Sequence, residues 1–170
     1  MDRDGQVTAP ASAAEFSHGP GVRFPPLLVF VAGFGAALLL DRRLGFEIDG
    51  AGASTMQLGI GTVLVAGGLT LVAWAIQTLA RSHTTVRPDR PARAFVTAGP
   101  YRFTRNPIYV GLTFIYLGSA VLSNLAWPLV LLPLVLMTMS IAVIGREERH
   151  LTATFGAEYD AYCRRVHRWL

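Results

Sequence analysis

The sequence predicts an all-α integral membrane protein with about four transmembrane helices, the last two forming a helical hairpin, followed by a C-terminal amphipathic helix. Two features of composition support this fold class, because 52% of the 170 residues are hydrophobic and only 15% are charged. Soluble domains average about 25% charged residues. A third feature is that the apolar residues gather in four long segments. The chain is therefore expected to form one integral membrane unit rather than an ordinary soluble domain.

The first two apolar segments predict two transmembrane helices between residues 23 and 80. One covers residues 25–40, which is short against the ~17 to 25 residues of a typical span. The other covers residues 58–80 and is long enough for a full span. Within it, Gly59-Ile60-Gly61 lacks the third glycine and the preceding strand of a dinucleotide-binding fingerprint. Close helix packing is the better expectation for these glycines.

The next two segments, residues 108–122 and 125–144, predict a tight helical hairpin with its turn at Ser123-Asn124. Its first arm is short for a span. Pro133 lies inside the second arm and is expected to kink it, because a proline removes one backbone hydrogen bond and clashes with the preceding turn.

Beyond Gly145 the apolar residues recur at mixed three- and four-residue steps, which predicts an amphipathic helix. Its apolar stripe is expected on the membrane surface or over the linker of residues 81–107, with Arg164, Arg165 and Arg168 facing phosphates or water. Residues 1–22 are rich in Ala, Ser, Gly and Pro and predict a flexible tail. The predicted organisation is thus a tail (1–22), two transmembrane helices (23–80) and a functional core (81–170).

Charge predicts the orientation of the chain. All 15 basic residues are arginine, and six of them crowd the 81–107 linker, whose one acid is Asp89. Such basic segments stay cytosolic, and the 41–57 loop, which lacks a positive excess, is placed outside. We expect a multi-pass protein of the plasma membrane, the inner membrane in bacteria, with both termini cytosolic. The arginines are expected to face anionic lipid, and no nucleic acid.

Two polar groups are predicted at the same end of the hairpin. Arg105, Asn106, Pro107 and Tyr109 begin its first arm, and the pair Glu147-Glu148 follows its second arm. Asn is expected to cap the helix and Pro suits a first helical turn. Carboxylates beside aromatic rings suit a cationic ligand. The alternative is that the carboxylates form ion pairs with neighbouring arginines such as Arg102 or Arg149.

Residues 81–168 resemble the membrane-embedded methyltransferases that include isoprenylcysteine carboxyl methyltransferase and phosphatidylethanolamine N-methyltransferase. The resemblance rests on the segments Phe95–Tyr101 and Arg105–Tyr109, and on Glu147-Glu148 followed by Leu151, Phe155-Gly156, Glu158-Tyr159, Tyr162 and Arg165-Val166. It implies S-adenosylmethionine as the methyl donor. It also implies an acceptor that is small or lipophilic and is methylated on O, N or S.

The resemblance further implies roles for individual residues. Arg93, Ala94, Phe95 and Val96 would form the linker wall around the donor, with Tyr101 beside it, and Asn106, Pro107, Ile108 and Tyr109 would form the donor-binding corner. Glu147 would hold a polar group of the donor, with Glu148 as its partner. Arg105 and Glu148 are the candidate catalytic residues. Arg105 would orient an anionic acceptor or contact lipid phosphates, and the sequence leaves both roles open.

Two positions depart from the carboxyl methyltransferases. Asn106 stands where those enzymes usually have His. Val143 stands where they have a substrate-orienting Arg, and Arg146 would replace it only if it turned toward the pocket. The sequence therefore does not support a prenylated cysteine as acceptor.

Two other functions stay open at this stage. Membrane sterol and enone reductases carry a comparable Asn/His-Pro-x-Tyr corner and would bind NADPH, and a non-catalytic membrane accessory protein would keep a degenerate pocket. Glu147-x-x-His150 has the spacing of half a di-iron motif, but no second copy follows, so no metal is expected. The single cysteine, Cys163, excludes an internal disulfide and is expected to be a small filler residue.

Overall fold

The computed structural model describes residues 26–50, 52–81 and 96–170. These residues form six α-helices, a short 3₁₀ turn and a π-helical stretch, and within these ranges no β-strand forms beyond two isolated bridges. The elements are α1 (Pro26–Leu44), α2 (Thr55–Arg81), the 3₁₀ turn (Gly99–Arg102), α3 (Pro107–Leu122), α4 (Trp127–Thr138), the π-helical stretch (Met139–Ile144), α5 (Gly145–Phe155) and α6 (Ala157–Cys163). The predicted tail of residues 1–22 lies outside the described residues.

All four predicted apolar segments are helical, and two of them have the length and composition of a membrane span. These two are Thr55–Arg81, with 27 residues, and the continuous helix Trp127–Phe155, with 29 residues. Helix α3 has 16 residues, which at 1.5 Å per residue makes it about 24 Å long, short of the ~30 Å hydrocarbon core. Helix α1 has 19 residues, but Asp41, Arg42 and Arg43 occupy its last turn.

Helix α2 begins three residues earlier than predicted because of a capping box. Ser54 Oγ accepts a hydrogen bond from the Gln57 backbone N–H, and Gln57 Oε1 accepts one from the Ser54 N–H, both at 3.2 Å. This reciprocal pair satisfies amide groups that the first helical turn leaves without partners. The Ser-x-x-Gln pattern is visible in the sequence and would have moved the predicted start.

Helices α2 and α3 pack at close range through two glycine pairs. A methyl group built on Gly68 would lie 2.6 Å from the Gly111 carbonyl oxygen, and one built on Gly118 would lie 2.7 Å from that of Gly61. Seven residues, about two turns, separate the glycines in each helix, so each pair of glycines shares one helix face. The predicted close packing is confirmed at Gly61, whereas a methyl group on Gly59 would have no atom within 4 Å.

Helix α1 completes the bundle by packing against α3 and α4. The rings of Phe30 and Phe34 meet the ring of Tyr116 edge-on, at centroid distances of 6.1 and 5.3 Å. Gly33 lies directly against the Val135 side chain. From Val135 the buried core continues along the helix Trp127–Phe155 through Met139, Val143 and Ile144, toward the end of the molecule that holds Glu147.

The π-helical stretch changes the direction in which the following side chains point. Pro133 lies inside α4, and the widened turns of Met139–Ile144 follow it. The kink expected at Pro133 stays a prediction. A π-helical turn closes its hydrogen bonds over one more residue than an α-turn, so it rotates every later side chain around the helix axis. The first turn of α5, which holds Glu147 and Glu148, comes directly after it.

The predicted turn of the hairpin is confirmed, and it is fixed to the loop between α1 and α2. Asn124 has a positive φ of 55°, a conformation that Asn tolerates better than most residues. Its Oδ1 accepts hydrogen bonds from Gln57 Nε2 at 2.8 Å and from the Asp49 N–H at 3.0 Å. Its Nδ2 donates to the Asp49 carbonyl oxygen at 2.8 Å. These contacts tie the bundle at the end opposite Glu147.

The predicted amphipathic helix is two helices, because Gly156 breaks it. Gly156 has a φ of 50°, a conformation that favours glycine. Residues 164–170 then run back to the start of α3, where Thr104 and His167 form a parallel bridge. The Arg105 N–H donates to the His167 carbonyl oxygen at 2.9 Å. The C-terminus therefore lies against Thr104 and Arg105, at the start of the Arg105–Tyr109 motif.

Candidate functional site

The candidate site forms where the segment before α3, the first turn of α5 and the C-terminal residues meet. The 3₁₀ turn Gly99–Arg102 approaches α2 so closely that a methyl group on Gly99 would lie 2.7 Å from Thr78 Oγ1. Gly99 also has a φ of 58°. Both the space and the backbone conformation require glycine here, which explains the glycine that precedes Pro100 and Tyr101.

Glu147 is joined to the start of α3 by one short hydrogen bond. The Tyr109 hydroxyl donates to Glu147 Oε1 at 2.8 Å, and the Tyr109 side chain is buried. A carboxylate has about four lone-pair positions, so this bond leaves Glu147 able to accept from a ligand as well. The structure thus brings together two residues for which the resemblance implies a role in the donor site.

Glu148 lies between two guanidinium groups. Arg105 Nη1 is 2.9 Å from Glu148 Oε1, and both side chains are only 16% exposed. Arg168 approaches the same carboxylate with two nitrogens, Nε at 3.2 Å from Oε1 and Nη2 in contact with Oε2. Glu148 is thus ion-paired, as in the alternative that the sequence left open, but its partners are Arg105 and Arg168 rather than Arg102 or Arg149.

Arg105 faces the protein rather than lipid. Burial lowers the pKa of Arg105, but the Glu148 carboxylate, with Cys163 and Tyr159, raises it by more, so the net shift is upward and the guanidinium stays charged. Its Nη1 also contacts Cys163 Sγ at 2.8 Å. Its Nε is buried and has no hydrogen-bond partner among the described residues. The contacts that the structure gives Arg105 are thus internal, and the two roles that the sequence left open for it stay predictions.

Asn106 is at the N-cap position of α3, but the predicted side-chain cap is wrong. Its Nδ2 donates to the Arg168 carbonyl oxygen at 2.9 Å, and no side-chain capping bond is made. Thr104 Oγ1 accepts from the Asn106 N–H at 3.2 Å instead. Pro107 occupies the first helical turn, as predicted. The Asn106 side chain points away from the helix amides because the returning C-terminus offers it a carbonyl acceptor.

Two tyrosines enclose the site from the side of the linker. The Tyr162 hydroxyl, on α6, donates to the Tyr101 carbonyl oxygen at 2.6 Å. Burial raises the pKa of Tyr162 to about 12. Burial, followed by the nearby Tyr162 and the Glu147 carboxylate, also raises the pKa of Tyr101. Both tyrosines are therefore neutral over the physiological range.

The other residues that the sequence analysis named are either near the core, at the positions of the missing substrate arginine and its possible substitute, or outside the described residues. Ile108 packs against the buried core, and Val96 is half-buried ahead of the 3₁₀ turn. Val143 is buried in that core, so the position of the missing substrate arginine faces protein interior. Arg146 is exposed. The linker residues Arg93, Ala94 and Phe95 lie outside the described residues.

The sequence reasoning missed two contributions to this site. Arg168 was expected to face phosphates or water, whereas it binds Glu148 and offers its carbonyl oxygen to Asn106. Thr104 was not singled out, yet it is buried and its Oγ1 also donates to the Arg168 carbonyl oxygen at 3.2 Å. No local signal predicts these contacts, because more than 60 residues separate Arg168 from Thr104. In the described part of the chain, no group of three His, Cys, Asp or Glu side chains could hold a metal ion.

An apolar cavity of about 200 Å³ adjoins the polar site. It is lined by Val110, Thr113, Phe114, Leu136, Trp169 and Leu170. Val110 follows Tyr109 in the chain, and Trp169 follows Arg168. Two residues that line the cavity are therefore the chain neighbours of residues that hold the two carboxylates.

The helical bundle has a half-buried carboxylate pair at one end, and two of its helices are long and apolar enough to cross a membrane. The fold and site together define a membrane protein with a polar site at one end. The family model for phospholipid methyltransferase matches residues 56–158, more than half of the chain. The chain therefore belongs to the phospholipid methyltransferase family and is a membrane methyltransferase. No curated protein matches it. The resemblance to this family is confirmed, and the match ends before Tyr162 and Arg168.

Proposed function

We propose that this protein transfers the methyl group of S-adenosylmethionine to the O, N or S atom of a small or lipophilic acceptor at the cytosolic face of the membrane. The observation that carries the proposal is the pairing of the start of α3 with the start of α5 through Tyr109 and Glu147, at 2.8 Å. The family match favours methyl transfer over the NADPH-dependent reductase and the accessory protein.

The residues present fit such a donor. Its amino-acid portion carries an ammonium and a carboxylate, and its ribose carries hydroxyls. Glu147 can accept from an ammonium or hydroxyl group with the lone pairs that Tyr109 leaves available. The buried, unpartnered Nε of Arg105 can donate to an oxygen. Hydrogen-bond acceptors and donors thus lie at the same end of the bundle, because Arg105 contacts Glu148, the neighbour of Glu147.

When bound, S-adenosylmethionine supplies an electrophilic methyl group that an in-line nucleophile attacks. The protein has to hold the two reactants at near contact, which is the main source of acceleration for such a transfer. Tyr109 orients the Glu147 carboxylate, and Arg168 with Arg105 orients Glu148. An amine acceptor would also have to lose a proton, and we propose that the Glu148 carboxylate takes up this proton. An anionic acceptor has no proton to lose, and we propose that Arg105 orients it.

We propose that the apolar part of a lipophilic acceptor lies in the cavity beside the site. Its walls are apolar apart from Thr113, whose hydroxyl is bonded to the Tyr109 carbonyl oxygen at 2.8 Å. Turnover with acceptors that share a nucleophile and differ in alkyl length tests this placement. Longer chains are expected to lower KM, and a KM that is independent of chain length would contradict it.

The proposed site faces the cytosol. The 3₁₀ turn with Arg102, the start of α3 with Arg105 and the first turn of α5 all belong to this end of the bundle, and positively charged segments favour the cytosolic side. A cysteine introduced at the exposed Glu47, at the opposite end, would report the orientation through an impermeant thiol reagent in intact cells. We expect labelling from outside. Protection until the membrane is opened would reverse the topology.

Calorimetric titration of the purified protein in detergent with S-adenosylhomocysteine tests the function, with NADPH in a parallel titration. Binding of S-adenosylhomocysteine alone is expected. Glu147→Ala should abolish it, whereas Glu47→Ala, which removes an exposed carboxylate from the other end, should leave it unchanged. Binding of NADPH alone would indicate a reductase, and the absence of binding heat with both ligands would indicate an accessory protein.

A further inference from the structure

The C-terminal segment, residues 164–170, contacts the candidate site through backbone, side chain and core packing. Its backbone accepts hydrogen bonds from the Arg105 N–H at His167 and from Asn106 Nδ2 at Arg168. Its Arg168 guanidinium binds the Glu148 carboxylate. Trp169 packs against the buried core. This segment lies beyond residue 158, where the family match ends.

Arg105 and Arg168 contact the Glu148 carboxylate in different ways, one through a single nitrogen and the other through two. Arg105 shares its Nη1 between Glu148 and Cys163, so that nitrogen makes one contact with the carboxylate. Arg168 presents two nitrogens, Nε and Nη2, to the two carboxylate oxygens. A paired arrangement of this kind fixes both distance and plane, whereas a single contact lets the carboxylate rotate. Arg168 therefore sets the orientation of Glu148.

The Arg168 backbone holds the part of the site that precedes α3. Its carbonyl oxygen accepts from Asn106 Nδ2 at 2.9 Å and from Thr104 Oγ1 at 3.2 Å. These two bonds hold the residues on either side of Arg105. One residue thus contacts both the α5 carboxylate and the corner that precedes α3.

We propose that residues 167–169 of the C-terminal segment are part of the donor site, and that Arg168 is a positioning residue that holds Glu148 and the Thr104–Asn106 corner in the conformation that binds the methyl donor. This inference rests on the proposed function. Arg168 acts through Glu148 and Asn106 rather than through the donor itself.

Titration with S-adenosylhomocysteine of the full-length wild type and of three variants tests the proposal. Arg168→Gln is expected to weaken binding roughly 10- to 100-fold, the range for losing a hydrogen bond to a charged group. Arg168→Lys keeps the charge without the planar fork and should recover part of the affinity. Arg164→Gln removes the same charge from an exposed neighbour and should bind like wild type. Equal affinities of Arg168→Gln and Arg164→Gln would overturn the proposal.

A double-mutant cycle with Glu148→Gln separates positioning from direct contact. If Arg168 acts through Glu148, the double variant should bind no more weakly than the weaker single variant. Additive losses would show that Arg168 acts independently of Glu148 and would overturn the positioning role.

Hydrogen exchange tests the same role without any ligand. The Arg105 amide, which donates to His167, should exchange faster in Arg168→Gln than in wild type or Arg164→Gln. If Arg168→Gln does not fold, Arg168→Lys takes its place in both measurements. Faster exchange together with a wild type that does not bind S-adenosylhomocysteine would retain the positioning role and reject the proposed function. Unchanged exchange would reject the positioning role.

Discussion

Replacement of Gly68 by alanine should displace helix α3 from α2 and thereby damage the site. The added methyl group would lie 2.6 Å from the Gly111 carbonyl oxygen and 2.8 Å from a side-chain carbon of Ile115. Ordinary contacts begin at 3.4 Å. The two backbones must therefore separate by about 0.8 Å, the difference between 3.4 Å and the 2.6 Å from the added methyl group to the Gly111 oxygen. Gly111 lies two residues after Tyr109, which binds Glu147.

The adjacent residue provides a matched control, because a methyl group on Gly67 would have no atom within 4 Å. Both substitutions gain the same intrinsic helix preference, about 0.5–1 kcal/mol. Overpacking at Gly68 costs about 1–3 kcal/mol. The melting temperature of Gly68→Ala should therefore lie roughly 2–12 °C below that of Gly67→Ala. A displacement near 1 Å also costs up to about 100-fold in catalytic rate.

The assay compares the two variants side by side in the same detergent. Thermal unfolding gives the stability difference, and titration with S-adenosylhomocysteine gives the effect on the site. We expect Gly67→Ala to match or exceed the wild type in both measurements. Equal melting temperatures and equal affinities for the two variants would refute the close packing of α2 on α3 and its link to the site.

Three further predictions concern the site itself. Glu147→Ala and Asn106→Ala should each abolish binding of S-adenosylhomocysteine in calorimetry while the protein stays monodisperse, because one removes the carboxylate and the other frees the α3 corner from Arg168. Normal affinity in both would reject the assignment. Val143→Arg should not create methylation of a prenylated cysteine, because position 143 is buried in the core, and robust turnover with a radiolabelled donor would contradict this. Tyr162→Phe removes a hydrogen bond to the 3₁₀ turn, worth about 1 kcal/mol. The folded pKa of Tyr162, about 12, exceeds the unfolded value, so its contribution is complete below about pH 10 and is lost as pH rises toward its folded pKa. Thermal melts between these values should show a smaller alkaline loss in Tyr162→Phe than in wild type.

Local signals predicted those parts of the fold that depend on neighbouring residues. Hydropathy predicted the four apolar helices, since a membrane-length run is visible without any knowledge of its partners. Pro107 predicted the start of α3, and Asn124 the turn of the hairpin. The capping box at Ser54 and Gln57 was also readable from the sequence. The π-helical stretch Met139–Ile144 was not, because its residues have no distinctive local pattern.

The sequence by itself determined that this is a helical membrane protein of a methyltransferase family, and that two carboxylates lie at the same end of the hairpin as the Arg105–Tyr109 motif. Composition and helix length predicted the fold class, and chain reversal predicted which ends of the helices meet. The family followed from the resemblance of residues 81–168 to known membrane methyltransferases. Only the tertiary structure decided the partners of those carboxylates, Tyr109 for Glu147 and Arg105 with Arg168 for Glu148. Those partners lie from 20 to 43 positions away along the chain. Contacts over such separations depend on how the C-terminus returns across the bundle, which no local propensity specifies.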